Sequence, residues 1–314
     1  MDDVVLTSEE LEVVVTPATG CSLRQVRHRA TGWTVLWRTP WTPQPALNAG
    51  PVGDSVTSWL RSYPGGWQLL LPNAGDPCTV DGVEYAFHGE ASTSRWEWES
   101  GDGWLKGRLD CYAVPLRVDR YVKVAGTKVS VTDEVTNTGA DAVRFMWGHH
   151  PGFGGDLLDG GATIEIAGRR VRTDSDFDPP RNALEPGVTA GWPFVPGRSG
   201  GVVDLRSPVY GQSAFACIDD LADGWACITR ADGRLAAELR WDASTFPCVW
   251  LWEELGGSTS LPWFGRGEVV GIEPCSTWPG RGLRRALEEG APLVELAAGE
   301  AKVGRIALGV AVSG

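Results

Sequence analysis

No stretch of eighteen consecutive apolar residues occurs in this chain, so no segment reads as a membrane-spanning helix. The opening MDDVVLTSEE has no apolar signal core, and the expectation is a soluble, cytoplasmic protein. Basic residues are also scarce: 28 Lys and Arg stand against 40 Asp and Glu, with a net charge of −12 and a pI near 4.9. Nucleic acid or an anionic membrane surface as the main partner is thereby disfavoured, because both require a basic face. The acidity leaves a phosphorylated small molecule open, since one local arginine pair can hold a phosphate. The seven cysteines form no CxxC pair and no zinc-like spacing, and their number is odd. They read as reduced, small core hydrophobes. GxSxG and HExxH are missing, which removes the signatures of a serine hydrolase and of a zinc protease. Histidine is rare, with four in the chain, so its placement carries information.

What is abundant points to strands. There are 41 Gly and 21 Pro, many Val and Thr, and almost no long helical pattern. Val4 to Val15 holds two short β-rich runs, and Leu23 to His28 begins a meander that continues to Trp37. His28 alternates with polar neighbours and reads as a structural residue on a solvated face. Residues 38 to 66 read as loop, Trp67 to Leu71 as a strand, and the WEWE segment after Arg95 as a half-buried strand. Successive strands follow from Trp104 to Val143, then a strand near Ala162 to Ile166 between Pro/Gly-rich surface loops. One short helix is expected around Gly282 to Glu289. With no composition break and no fixed-period repeat, the expected fold is all-β: one large antiparallel β-sandwich domain over residues 1–314, with very little helix. Sixteen Trp against five Tyr and eight Phe is an unusual balance. About two thirds are expected in the core, leaving a minority for a site, where indole faces suit sugar rings.

Three elements stand apart from the strand background. FMWGHHPGFGGDL, at 145 to 157, sets His149 and His150 at what reads as the end of a strand before a Gly-rich loop. AFHGEAS carries His88. VVGIEPCSTWPG carries Glu273 behind an apolar run, where an unpaired carboxylate needs donors or a ligand. Imidazole and carboxylate together suit proton transfer at two oxygens of one substrate. The bland alternatives are two histidines that merely end a strand and a glutamate satisfied within the fold. A three-histidine metal site is possible on numbers alone, but spacing gives it no support.

HHPGF in WGHHPGFG resembles the histidine motif of the aldose 1-epimerases, in the galactose mutarotase superfamily. GIEPCSTWP resembles that family's C-terminal glutamate motif and FHGEAS its first histidine motif. LPNAG resembles the loop before that histidine, and TPATGCSLRQVRH the first hairpin. The likeness runs through nearly the whole chain in the same order. It implies a galactose mutarotase-like supersandwich, no cofactor, a small-molecule sugar as partner and interconversion of α and β anomers, and it allows a homodimer. By the same resemblance Glu273 is the general base, His150 the general acid and His88 a sugar contact. His149, Asn73, Gln212, Trp67 and Trp252 are further sugar-binding or orienting candidates, with Trp278 as another possible aromatic wall.

Two departures bear on the substrate. Where the family's loop carries an Arg after its Asn, this chain has Ala74. Where an Asp is often seen between the two motifs, YGQSAF offers Gln212 or Ser213. Glu253 and Glu254 are candidate replacement acceptors. The sequence therefore also admits an epimerase for a modified sugar such as a hexose 6-phosphate, with Arg61, Arg95 or Arg266 as phosphate contacts, and a non-catalytic sugar-binding or sensing protein on the same fold.

Overall fold

The computed structural model describes residues 3–44 and 54–313. Two large antiparallel sheets face each other across the main hydrophobic core. The eight-stranded sheet is built where the sequence alternates strictly. Leu116–Ala125 and Lys128–Asn137 bury every second residue and are joined by a tight turn at Gly126, whose φ of 52° favours glycine. Their apolar faces point at the other sheet.

The ten-stranded sheet carries the strands of interest. From its interior to one edge lie, in spatial order, Trp67–Leu70, Gly148–Phe153, Val269–Cys275, Cys248–Leu255, Gln212–Asp219, Arg170–Thr173 and Thr189–Gly191. Every residue of Gly148–Phe153 and of Val269–Cys275 is buried. One face of these strands meets the core and the other is roofed by loops, so the alternation seen elsewhere disappears. HHPGF is therefore the middle of a central strand, not a strand end leading into a loop. Among the described residues no helix is long and apolar enough to cross a membrane.

Several readings need correction. The stretch 38 to 66 contains a helix, α1, at Ser55–Ser62, while its residues 45–53 lie outside the described residues. Asp54 caps α1 by accepting a hydrogen bond from the Thr57 amide at 2.8 Å. Eight residues between Pro/Gly-rich flanks are too few for a period of 3.6 to show. His28 is buried rather than solvated, with Nδ1 2.9 Å from Thr31 Oγ1. Of the WEWE segment only Trp96 is buried, just before the strand; the strand itself, Glu97–Gly101, is exposed throughout because it forms the edge of its sheet. Seven of the sixteen tryptophans are buried, fewer than two thirds, because several line cavities. The expected C-terminal helix is present as α2, Gly282–Glu288, and all seven cysteines are free.

Candidate functional site

Strand register creates the site. Gly148 pairs with Cys275 and Gly152 with Gly271, which puts His150 directly opposite Glu273. The ladder is interrupted between those pairs, at the segment containing Pro151, which has no amide to donate. Side chains opposite each other share a face. His150 Nε2 accordingly lies 3.5 Å from Glu273 Oε1, close but too long for a strong hydrogen bond. Trp250 pairs with Glu273 and Trp252 with Gly271, and both indoles extend the same floor. A Cβ on Gly271 would fall 2.5 Å from Glu273 Oε1, so glycine at this position leaves the carboxylate its room.

The roof comes from α1 and two loops. Trp59 and the Tyr63 that ends α1 stack at 4.4 Å, and the Tyr63 hydroxyl lies 3.5 Å from His150 Nδ1. His88 sits in the left-handed region at φ 58°, a strained setting for a non-glycine residue. It is held there because the Gly75 amide donates to its Nδ1 at 3.1 Å, leaving its proton on Nε2. The His88 and His150 rings are 5.4 Å apart. Together with Phe87, Phe177, Phe215, Trp263 and Arg281 these groups enclose a cavity of about 210 Å³, with an aromatic wall and a small polar centre.

Burial sets the charge states. It lowers the His150 pKa to about 4 and holds His88 well below the usual imidazole value, with the neighbouring His150 acting in the same direction. It raises Glu273 well above the usual carboxylate value. The pair therefore rests neutral, with the proton on the carboxyl. Moving that one proton to the imidazole leaves a carboxylate base facing an imidazolium acid, and the proton count does not change.

The other sequence candidates separate sharply. Trp252 lines the cavity. His149 does not, because alternation turns it to the opposite face, into the core. There Trp67 Nε1 donates to His149 Nδ1 at 3.1 Å, and His149 Nε2 lies 3.4 Å from Asp133 Oδ2. Trp67 is thus a fully buried core residue and no wall for a sugar. The same alternation means that His88, His149 and His150 do not converge on one metal. Asn73 is a brace: it donates to the carbonyls of Asp76 and Ala86 and accepts from the Leu283 amide at 2.7 Å, tying the His88 loop to α2. Gln212 is exposed and lines a different surface depression. Glu254 accepts from Ser213 and Ser258, and Glu253 sits on the core side of its strand, so neither lines the cavity. Trp278 borders an adjacent well, and Arg61, Arg95 and Arg266 do not line the cavity.

The sequence reading missed Arg281, Trp59 and Tyr63. Arg281 is the one Lys or Arg among the cavity-lining residues, and it donates to Asp174 with Nε and Nη2 and to Asp76 with Nη1 at 3.2 Å. It follows directly on the glutamate motif, in WPGRG, and that adjacency was the available signal.

Burial lowers the His149 pKa to about 3, with Arg120 acting in the same direction and Asp133 against it. The unfolded imidazole titrates near 6.5. Below pH 6.5 the unfolded chain gains a proton that the folded chain refuses, so stability is present above that pH and lost as pH falls towards 3. The contribution approaches about 1.4 kcal/mol per pH unit. His149→Gln is expected to make the unfolding free energy shallower against pH by up to that amount between roughly pH 4 and 6. Urea unfolding at several pH values measures it, and an unchanged slope would contradict a neutral buried His149.

Comparison with solved structures gives the fold a relative. An Escherichia coli K12 protein, provisionally described as an aldose 1-epimerase, superposes with a TM-score of 0.70 at 18% identity, covering 99% of both chains. A galactose mutarotase-like protein of Lactobacillus casei gives 0.66 at 17%, covering 99% of this chain and 100% of that one. A galactose mutarotase related enzyme of Lactobacillus acidophilus gives 0.64 at 16%, covering 99% of each. At these identities the likeness establishes a galactose mutarotase-like fold and no more. No match was found among curated proteins. A sequence family does span the molecule, matching residues 3–310 from the first sheet strand to the last: the chain belongs to the family described as domain of unknown function DUF4432.

Proposed function

We propose that the protein is an aldose 1-epimerase-like isomerase acting on a neutral aldose without a cofactor. The observation that carries this reading is the facing pair of His150 and Glu273, 3.5 Å apart at the polar centre of an aromatic cavity. Glu273 as carboxylate takes the proton of the anomeric hydroxyl while His150 as imidazolium protonates the ring oxygen. The bond from the anomeric carbon to the ring oxygen breaks and its electron pair stays on that oxygen. A carbonyl forms at the anomeric carbon, rotates to present its other face, and closure reverses both transfers. Pure binding has no need of an acid and a base facing one another, and this favours the enzyme over a sugar sensor. The substrate is assigned as neutral because Arg281 is already matched by Asp174 and Asp76, which favours a plain aldose over a sugar phosphate.

The test is anomer exchange followed by NMR on a panel of aldoses, deoxy sugars and hexose 6-phosphates. Exchange of at least one neutral aldose well above the buffer rate is expected, with phosphates slower. If several sugars bind and none exchanges faster than in buffer, the protein is a sugar-binding module on this fold.

A further inference from the structure

Next to the catalytic cavity lies a second well of about 230 Å³, sharing Phe215, Gly280 and Arg281 with it. Strand register shows how the two are related. Glu273 pairs with Trp250, Trp250 with Cys217, Cys217 with Arg172 and Arg172 with Thr189, so these five side chains form one row across the same face of the sheet. From Glu273 to Arg172 is three strand spacings, about 14 Å, which is longer than one sugar ring. The first part of the row floors the catalytic cavity and the last part floors the second well. Between them the chain crosses at Gly280. A Cβ there would fall 2.6 Å from Phe215 Cζ and 3.5 Å from Trp250, so the divider is a saddle of bare backbone.

The second well has an indole at its side. Trp278 is half-buried, with the Arg172 guanidinium 4.4 Å from its ring centre and holding it in place. The well's arginines are matched by carboxylates. Arg172 bonds Asp219, Arg281 bonds Asp174 and Arg285 bonds Glu289, at 3.0, 2.6 and 2.6 Å. Arg172 shares Asp219 with Arg170, and across the lining Arg172, Arg281 and Arg285 are balanced by Asp174, Asp176 and Glu289, so the well carries no net positive charge to draw an anion. It offers an apolar ring face beside planar polar groups that both donate and accept, the combination that suits the hydroxyls of a neutral sugar.

Building on the epimerase reading, we infer that this second well is a saccharide subsite. It takes the unit linked to the reducing-end ring when that ring occupies the catalytic cavity, with the linkage passing over the Gly280 saddle. The substrate class is then a reducing di- or oligosaccharide.

The experiment compares kcat/KM for anomer exchange of cellobiose, maltose and lactose with that of glucose and galactose. For at least one disaccharide the ratio to its own reducing-end monosaccharide is expected to exceed ten, and to fall towards one in Trp278→Ala. Thr189→Trp gives a second reading from an exposed position on the edge strand, where the new indole fills the well without touching the core. A ratio near one for all three disaccharides, or a high ratio that neither variant lowers, overturns the subsite and leaves the epimerase reading standing. If no sugar exchanges at all the epimerase reading fails, and disaccharide binding followed by tryptophan fluorescence decides the subsite: tenfold weaker binding in both variants upholds it, and unchanged binding overturns it.

Discussion

Glu273→Gln is expected to slow anomer exchange by about 10²- to 10⁴-fold while sugar binding stays within a few-fold of the unchanged protein. The amide keeps the shape of the side chain and its hydrogen bonding but has no carboxylate to receive a proton. His150→Ala should produce a loss of similar size, because ring opening fails when either oxygen lacks its partner. Tryptophan fluorescence reports binding in each variant, since Trp250 and Trp252 line the cavity. The pH profile tests the same assignment. Burial lowers His150 to about 4 and raises Glu273, so the pair holds one proton across the interval between those values. Exchange should therefore be flat across the interval, falling below about pH 4 as Glu273 can no longer lose its proton, and again at high pH as the shared proton is lost. In Glu273→Gln the high-pH limb should move down to about pH 4, where His150 alone loses the proton it must donate. A Gln variant with more than a tenth of the original rate would remove Glu273 from the chemistry.

The largest expected effect on stability lies in the facing sheet, across the core from His149. Arg120 and Asp133 are 0% and 1% exposed and make two hydrogen bonds, at 2.7 and 2.9 Å. Arg120 Nη1 also donates to the Cys21 carbonyl at 3.1 Å. Arg120→Ala would leave a carboxylate in the core with its main partner gone, and the expected loss is about 3–5 kcal/mol. Against a total of about 5–15 kcal/mol for a typical domain, that is enough to shift the urea midpoint markedly. Replacing both members, as in Arg120→Met with Asp133→Leu, removes the stranded charge and should recover most of the loss. Recovery should be incomplete, because the buried Cys21 carbonyl then loses the hydrogen bond that Arg120 Nη1 donates, a penalty of about 1–3 kcal/mol. A loss below about 1 kcal/mol in Arg120→Ala would mean that the Asp133 carboxylate finds water or another donor in place of Arg120.

These two results concern neighbouring residues that look equivalent in the sequence. His149 and His150 share one motif, yet one belongs to the buried ion pair and the other to the cleft. Alternation along a strand guarantees that they part, but which of them faces the cleft depends on which face of the central sheet is roofed by α1 and the loops. No local pattern carries that information, because both faces of the strand are buried and the apolar alternation is lost. Trp67 and Trp252 show the same limit. Both are indoles in apolar runs, and pairing places Trp67 beneath His149 and Trp252 beside His150.

The β-sandwich and the identity of the acid and base candidates were legible in the sequence itself. Period-two burial, turn residues and the scarcity of helical patterns are local properties, and the His149–His150 pair and Glu273 stood out as titratable groups in apolar strands, with His150 singled out by family resemblance. The tertiary structure alone decided the wall and the reach of the site. Strand pairing lines up Glu273, Trp250, Cys217, Arg172 and Thr189 from stretches far apart in the chain, and loop closure brings Arg281 to Asp76 across more than two hundred residues. Contacts of that kind depend on register between distant strands and on where connections cross the sheet, and both are set by the packing of the whole chain rather than by the residues on either side.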